Sequence, residues 1–497
     1  MTAPLPDPLT TAYYPLTFPD VGQQGVHMAK AWLVEGAVDV EKIQQALDRV
    51  VKKWPMLAGR VEKTSRNRFR IRIPLGDLPA GYEAYTFTSE DSELPLSHYT
   101  PLPIPSFSRT LPDALFISPA TRKLALSSMG LSTYAAKSLP LTHWHVTRFP
   151  KKGEESSCIG MTYSHGVFDG LGSTFIVRAL EVELAGREWD VPGPAMPMEL
   201  RVYENELEVL LRNEVSEAET ARDERGEKQE SLESIVARFS GMCVSGLWGM
   251  LLYMERCLWI AWREVPAQYG VIIPYQVHTK FAEELRREAK AAGLDDARAG
   301  TGDAIFAWLL KTVYTDTVNP VRRNRTVGMF TLATLRNEWG GKLTLYPHNC
   351  ILGTSGNPAL TSGEIAALPT HHLAHTLAKA RLSASRLQDA RWYWRMWQAA
   401  DRIWPMGMVV PAAVTDDAWT LTNVSVARAA EIDLGPAGGG KTLTNYVFGL
   451  VPVVAPLQVC IINGRLGNGD LVVACLVTER KGRAIEEGLR TLLAGYA

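Results

Sequence analysis

The run Cys158-Ile159-Gly160-Met161-Thr162 and the octapeptide after it, Tyr163-Ser164-His165-Gly166-Val167-Phe168-Asp169-Gly170, constrain this chain more than any other stretch. An apolar run of that length with β-branched members reads as a buried strand. Leu171 to Leu180 then reads as a helix. Strand, short loop and helix form an α/β unit that presents loop side chains at an element end, where a scaffold fixes them and substrate can still reach them. His165 stands in that loop. An imidazole titrates near neutrality, which suits proton removal from an alcohol or amine. Asp169, four positions on, is better placed to lock the turn than to share that chemistry. His-x-x-x-Asp alone is a weak pattern; the preceding strand, Gly170 and the following helix give it weight.

With 497 residues, 46% hydrophobic and 21% charged, the chain has ordinary globular composition and length for two domains. A net charge of −1 supplies no basic field for nucleic acid. Cys158, Cys243, Cys257, Cys350, Cys460 and Cys475 form no Cys-x-x-Cys pair, and most sit in apolar contexts. That is the pattern of reduced core thiols, with no metal site implied. Met1 to Tyr14 carries no basic-then-apolar leader, and the end Gly495-Tyr496-Ala497 no retention or peroxisomal address, so a cytoplasmic protein is expected. Phe239 to Trp262 is rich in Leu, Trp and Met, but charges interrupt it. Its uninterrupted part is too short to span a bilayer, and a buried or substrate-lining helix is expected there.

Along the chain, 26–36 reads as a strand and Val40 to Lys53 as an amphipathic helix, with Ile43, Ala46, Leu47, Val50 and Val51 at helical spacing. Trp54-Pro55 breaks that helix, and a strand starts near Val61. Arg68 to Ile73 alternates as a half-exposed strand would. Residues 74–140 are Pro-rich and give no element. Leu141 to Phe149 and Ser157 to Tyr163 read as strands paired across Lys151-Lys152-Gly153-Glu154. Tyr203 to Val236 is heavily charged and reads as a surface helix or crossover. A second half begins near Val271, with a helix Asp303 to Val313 and strands Thr326 to Leu335, Leu457 to Ile462 and Leu471 to Val477.

These residues resemble the BAHD family of acyl-CoA-dependent acyltransferases, and its fungal secondary-metabolite branch more than its plant branch. Val38 to Leu47, leading into Pro55-Met56-Leu57-Ala58-Gly59-Arg60, is similar to the family's opening helix and strand. Ser164 to Gly170 matches its catalytic motif. Gly300 to Trp308 resembles the helix opening its second half, and Tyr346-Pro347-His348-Asn349-Cys350 its Tyr-Phe-Gly-Asn segment. Asp433-Leu434-Gly435 stands where the family has Asp-Phe-Gly-Trp-Gly, without the aromatic positions. Ser164 stands where the related peptide-condensation domains carry a second histidine, which argues against that class.

The resemblance implies an α/β fold of two chloramphenicol-acetyltransferase-like domains, with mixed sheets flanked by helices and a channel between them. The divisions expected are 1–200, a crossover at 201–265, and 266–497. It implies that His165 deprotonates the acceptor as that atom attacks the thioester of acyl-CoA, most simply acetyl-CoA. Asp169 would turn away to pair with an arginine, and Arg336 is a candidate partner for Asp169 or for Asp433. Gly170 and Asp433 would be structural. Thr422 and Asn423 resemble a polar pair that would serve the oxyanion or the substrate. No metal, permanent cofactor or covalent acyl-enzyme is needed. A monomer acting on a bulky, apolar small-molecule alcohol or amine, most simply a hydroxyl of a secondary metabolite, would follow. An acyl donor on a carrier protein, or a degenerate protein that only binds a metabolite, are the alternatives.

A competing motif overlaps the Asp433 segment. Gly435-Pro436-Ala437-Gly438-Gly439-Gly440-Lys441-Thr442 fits the phosphate-binding pattern G-x-x-x-x-G-K-T in full. That chemistry needs a helix after the loop, so that its dipole and amides meet phosphate. Leu443 to Pro452 does not read as a helix, so nucleotide hydrolysis is disfavoured.

Overall fold

The structure is a computed structural model. It describes residues 11–496 except 66–67, 128–129, 194–202, 225–230, 232–233, 236–241, most of 245–264, 295, 316–325, 359, 384–385, 404–408, 412–416 and 451–456. Most of the apolar stretch Phe239 to Trp262, and part of the charged run before it, lie outside the described residues. Among the described residues, no helix is long and apolar enough to cross a membrane.

Among the described residues, two large sheets carry the molecule, beside a three-stranded sheet of Thr11–Pro15, Arg68–Pro74 and Arg60–Ser65 and a two-stranded one of Val409–Pro411 and Met242–Val244. The first has five strands in the order Thr442–Leu450, His27–Glu35, Ser156–Ser164, Thr142–Phe149, Thr86–Asp91. His27–Glu35 pairs antiparallel with Ser156–Ser164 from His27 opposite Ser164 to Glu35 opposite Ser156. Every residue of Ser156–Ser164 is buried, as a strand covered on both faces requires. The helices Val40–Lys53 and Gly170–Leu184 pack against each other beside it. Asp39 caps Val40–Lys53 by accepting from the Glu41 and Lys42 amides, Lys52 and Lys53 close its last turn, and Trp54-Pro55 ends it. Its buried face is Ile43, Ala46, Leu47, Val50 and Val51, the residues whose spacing gave the helix.

The second sheet runs Ile351–Gly353, Thr326–Thr334, Asp417–Asn423, Leu457–Arg465, Leu471–Thr478, Pro266–Ile273, Phe107–Arg109, with Leu360–Thr361 beside Thr326–Thr334. Asp417–Asn423 is parallel to both of its neighbours, and the rest of that sheet is antiparallel. The fold is therefore α/β with mixed sheets flanked by helices, as the sequence led one to expect. Two strands trade places: Thr442–Leu450 comes from the second half of the chain into the first sheet, and Phe107–Arg109 goes the other way. Residues 74–140, which gave no element in the sequence, hold Thr86–Asp91, Phe107–Arg109 and the helices Pro119–Ser127 and Leu131–Lys137. Cys158, Cys350, Cys460 and Cys475 are buried free thiols.

Candidate active site

His165 follows the last residue of Ser156–Ser164 directly. Its main chain is gripped from both sides: its N–H donates to the Val26 carbonyl at 2.8 Å, and its own carbonyl accepts from Asn349 Nδ2 at 2.7 Å. The residue is partly exposed, yet Nδ1 is sealed from solvent and has no hydrogen-bond partner in another of the described residues. Burial lowers the imidazole from its ordinary value. Its own carbonyl, the Asp169 charge and Asn349 act in the opposite direction, and Lys30 adds to the lowering. The result is a ring that is neutral at neutral pH and able to accept a proton.

Asp169 is fully buried and turned away from that role. Arg336 grips it with both ends of the guanidinium: Nη1 donates to Oδ2 and Nη2 to Oδ1, each at 2.8 Å. The Leu171 and Gly172 amides donate to Oδ1 at 3.0 and 2.8 Å, so Asp169 also caps Gly170–Leu184. The Cys350 amide donates to Oδ2 at 3.1 Å. Burial alone would push this carboxyl up; the Arg336 charge and these donors override it and hold it below the ordinary aspartate value. Arg336 is itself buried, and it donates further to the Tyr346 and His348 carbonyls at 3.0 and 2.8 Å. The loop between strand and helix is thus bolted to Tyr346-Pro347-His348-Asn349-Cys350. Gly172 shows how closely they meet, because a Cβ there would lie 1.7 Å from the Pro347 carbonyl oxygen. His348 completes the contact by donating from Nδ1 to the Val167 carbonyl at 2.8 Å.

Of the two partners considered for Arg336, the structure selects Asp169. Asp433 is exposed, and its Oδ1 accepts from the Gly435 amide at 2.8 Å, so it shapes its own turn and leaves Arg336 alone. Gly170 opens the helix with Val424 against it, 3.3 Å from where a Cβ would sit. Thr422 and Asn423 end Asp417–Asn423, one residue before Val424. Thr422 lies opposite Ile461 in the sheet, and Asn423 is exposed, accepting from the Ser425 amide at 3.0 Å. The strand end therefore reaches the start of the His165 helix.

Gly435–Thr442 is not a phosphate loop. A single 3-10 turn, Gly435–Ala437, leads into the strand Thr442–Leu450. The amides that would cradle phosphate are spent: Gly438 donates to the Gly435 carbonyl, Gly439 to Leu434 and Gly440 to Glu35. Lys441 lies 3.3 Å from the Glu35 carboxylate, on the surface.

Two residues at the site escaped the sequence reading. Lys30 is buried and donates to the Gly170 carbonyl at 2.5 Å and to the Thr174 hydroxyl. Burial lowers its ammonium to about 7. A lone lysine in Met28-Ala29-Lys30-Ala31-Trp32-Leu33 was the signal. Asp20, also buried, meets Asn349 and is taken up below.

No family model matches the chain. The O-acyltransferase pboC of Aspergillus ustus is 26% identical over 323 residues, which cover 59% of this chain and 58% of that protein. The chain thus spans somewhat over half the length of the curated relative it matches. Among solved structures, F. graminearum TRI101 with ethyl coenzyme A superposes with a TM-score of 0.63 at 14% identity, over 96% of this chain and 97% of that one. F. sporotrichioides TRI101 with coenzyme A and T-2 gives 0.62 at 12% identity, over 95% and 96%. The chain thus shares the overall fold of the TRI101 structures over nearly its whole length.

Proposed function

We propose that this protein is an acyl-CoA-dependent acyltransferase that moves an acyl group, acetyl in the simplest case, to a hydroxyl of a small apolar metabolite. The observation that carries the reading is the division of labour at the motif: a neutral, partly exposed His165 beside an Asp169 wholly committed to Arg336 and the helix cap. Nδ1 is enclosed, so Nε2 is the nitrogen left to meet substrate. It takes the acceptor proton as the acceptor oxygen attacks the thioester carbonyl, and returns it to the departing thiolate. Thr422 or Asn423 would donate to the oxyanion. Coenzyme A in the TRI101 structures and the name of the A. ustus relative support the donor and the reaction class. The division at 200 and 265, with its two exchanged strands, and a cytoplasmic monomer belong to the same reading.

The test is thiol release from acetyl-CoA and longer acyl-CoAs across a panel of polycyclic alcohols. His165→Ala should lower kcat by about 10²- to 10⁴-fold, the usual share of a general base, with an unchanged melting temperature. An alanine variant as active as the parent would end the assignment of His165. Turnover with an acylated carrier protein and none with CoA would move the donor to the carrier. Binding without any turnover would leave a metabolite-binding protein of the same fold.

A further inference from the structure

Asp20 lies in the short helix Phe18–Gly22 and has no exposed surface. Its four hydrogen bonds come from neutral groups. Oδ2 accepts from the Thr17 amide and hydroxyl, each at 2.7 Å, and Oδ1 from the Asn349 amide and Nδ2, each at 2.9 Å. The same Nδ2 donates to the His165 carbonyl. Asn349 Oδ1 is buried with no partner among the described residues, so the amide is oriented by what its nitrogen donates to. A chain of contacts therefore runs from Asp20 through Asn349 to the main chain of His165.

We propose that Asp20 is a positioning residue for the acyl transfer, and that its carboxylate, acting through Asn349, makes the aim of His165 depend on whether Asp20 is ionised. This rests on the general-base reading of His165. An ionised carboxyl has only acceptor sites and suits four donors; a protonated one must turn a hydrogen toward one of them and lose that contact. Burial pushes the Asp20 carboxyl up to about 7, against the pull of Asn349 and Thr17, so the change falls in the working range. The other titratable groups that face it are Tyr14, Tyr346 and Cys350, with Glu206 beyond Tyr14. Burial raises Tyr14, Tyr346 and Cys350, which keeps all three neutral near pH 7. His165 is lowered from its ordinary value and has already lost its proton there. Lys30, whose ammonium burial lowers to about 7, also acts on His165, so the part of the acid limb that Asp20 sets is the part that remains when Lys30 is replaced by Met.

Asp20→Asn should lower kcat on the order of tenfold to a hundredfold, as a small misplacement of a reacting group does, with KM for the acyl-CoA unchanged. Its remaining acid limb should move to lower pH, where His165 protonates. Thr17→Val, which deletes one donor to the carboxylate, should move the limb the other way. A residue that merely held the fold would scale the whole profile and leave the limb in place, and that result would overturn the proposal. The His165 ring resonance, assigned with His165→Gln, gives a readout that needs no turnover. In a Lys30→Met background, which removes the other group lowered to about 7, it should show an inflection near pH 7 that adding Asp20→Asn abolishes. The inflection without transfer to any acceptor would sink the acyltransferase reading alone; transfer without the inflection would sink the role of Asp20 alone.

Discussion

At the scale of the residue, the pair Asp169–Arg336 sets how firmly the His165 loop is held. Both side chains are buried, and their geometry is bidentate, with every strong donor of the guanidinium engaged. Removing one partner strands the other in a medium that cannot solvate it, at a cost of about 3–5 kcal/mol. Arg336→Met should therefore lower stability by about that amount in urea unfolding, and should lower kcat as well because the loop moves. Arg336→Lys should rescue little, since a point charge cannot bridge two carboxylate oxygens and two carbonyls at once. The pH dependence has a definite sign. Asp169 is held below its ordinary value when folded, so its contribution is complete at neutral pH and is lost as pH falls below the ordinary aspartate value of 3.8. Arg336→Met should erase that part of the acid transition.

At the scale of the element, what the sequence made legible and what it hid divide along physical lines. Val40–Lys53 was legible because its period and breaker agree, and Ser156–Ser164 because a doubly covered strand is an unbroken apolar run. Thr86–Asp91 was hidden because it is an edge strand, largely exposed, with no apolar face to alternate. The helix Tyr275–Ala291 was missed although its buried residues, Val277, Phe281, Ala282, Leu285 and Ala289, stand at helical spacing. His165 and Asp169 could be singled out because four residues of chain relate them. Asp20 could not, because 329 residues separate it from the Asn349 amide it accepts from, and only the fold closes that distance. The helix Gly170–Leu184 carries its own prediction. Gly172→Ala would put a methyl into the Pro347 carbonyl, and backbone on both sides cannot yield cheaply. Moving the helix start off Pro347 should cost more stability than the 1–3 kcal/mol usual for overpacking, and should lower kcat, whereas Gly186→Ala, beyond the same helix, costs only the strain of its positive φ. Urea unfolding of the two variants and their kcat values separate these outcomes.

At the scale of the whole molecule, the exchanged strands decide what can fold alone. Thr442–Leu450 pairs with His27–Glu35 from Thr442 opposite Val34 to Leu450 opposite His27, with one register shift. Without it, His27–Glu35 would become an edge presenting unpaired amides and carbonyls, next to the apolar surface that Tyr446, Phe448 and Leu450 now cover together with Phe116 and Leu33. A fragment 1–200 would also lack Arg336 and leave the Asp169 carboxylate buried and unpaired. Both losses fall on the loop that carries His165, and the second sheet would in turn lose Phe107–Arg109 from Pro266–Ile273. The fragment 1–200 should accordingly aggregate or stay unfolded when expressed alone, and the fragment 201–497 should do little better. Co-expression should recover a soluble complex with the melting behaviour of the intact chain. A cooperatively melting 1–200 fragment on its own would show that the first sheet tolerates an open edge, and that the traded strands are attachments to two independent domains. If neither fragment folds alone, the site between the sheets exists only when both halves of the chain have arrived, and the burial of Asp169 and Asp20 is affordable only then.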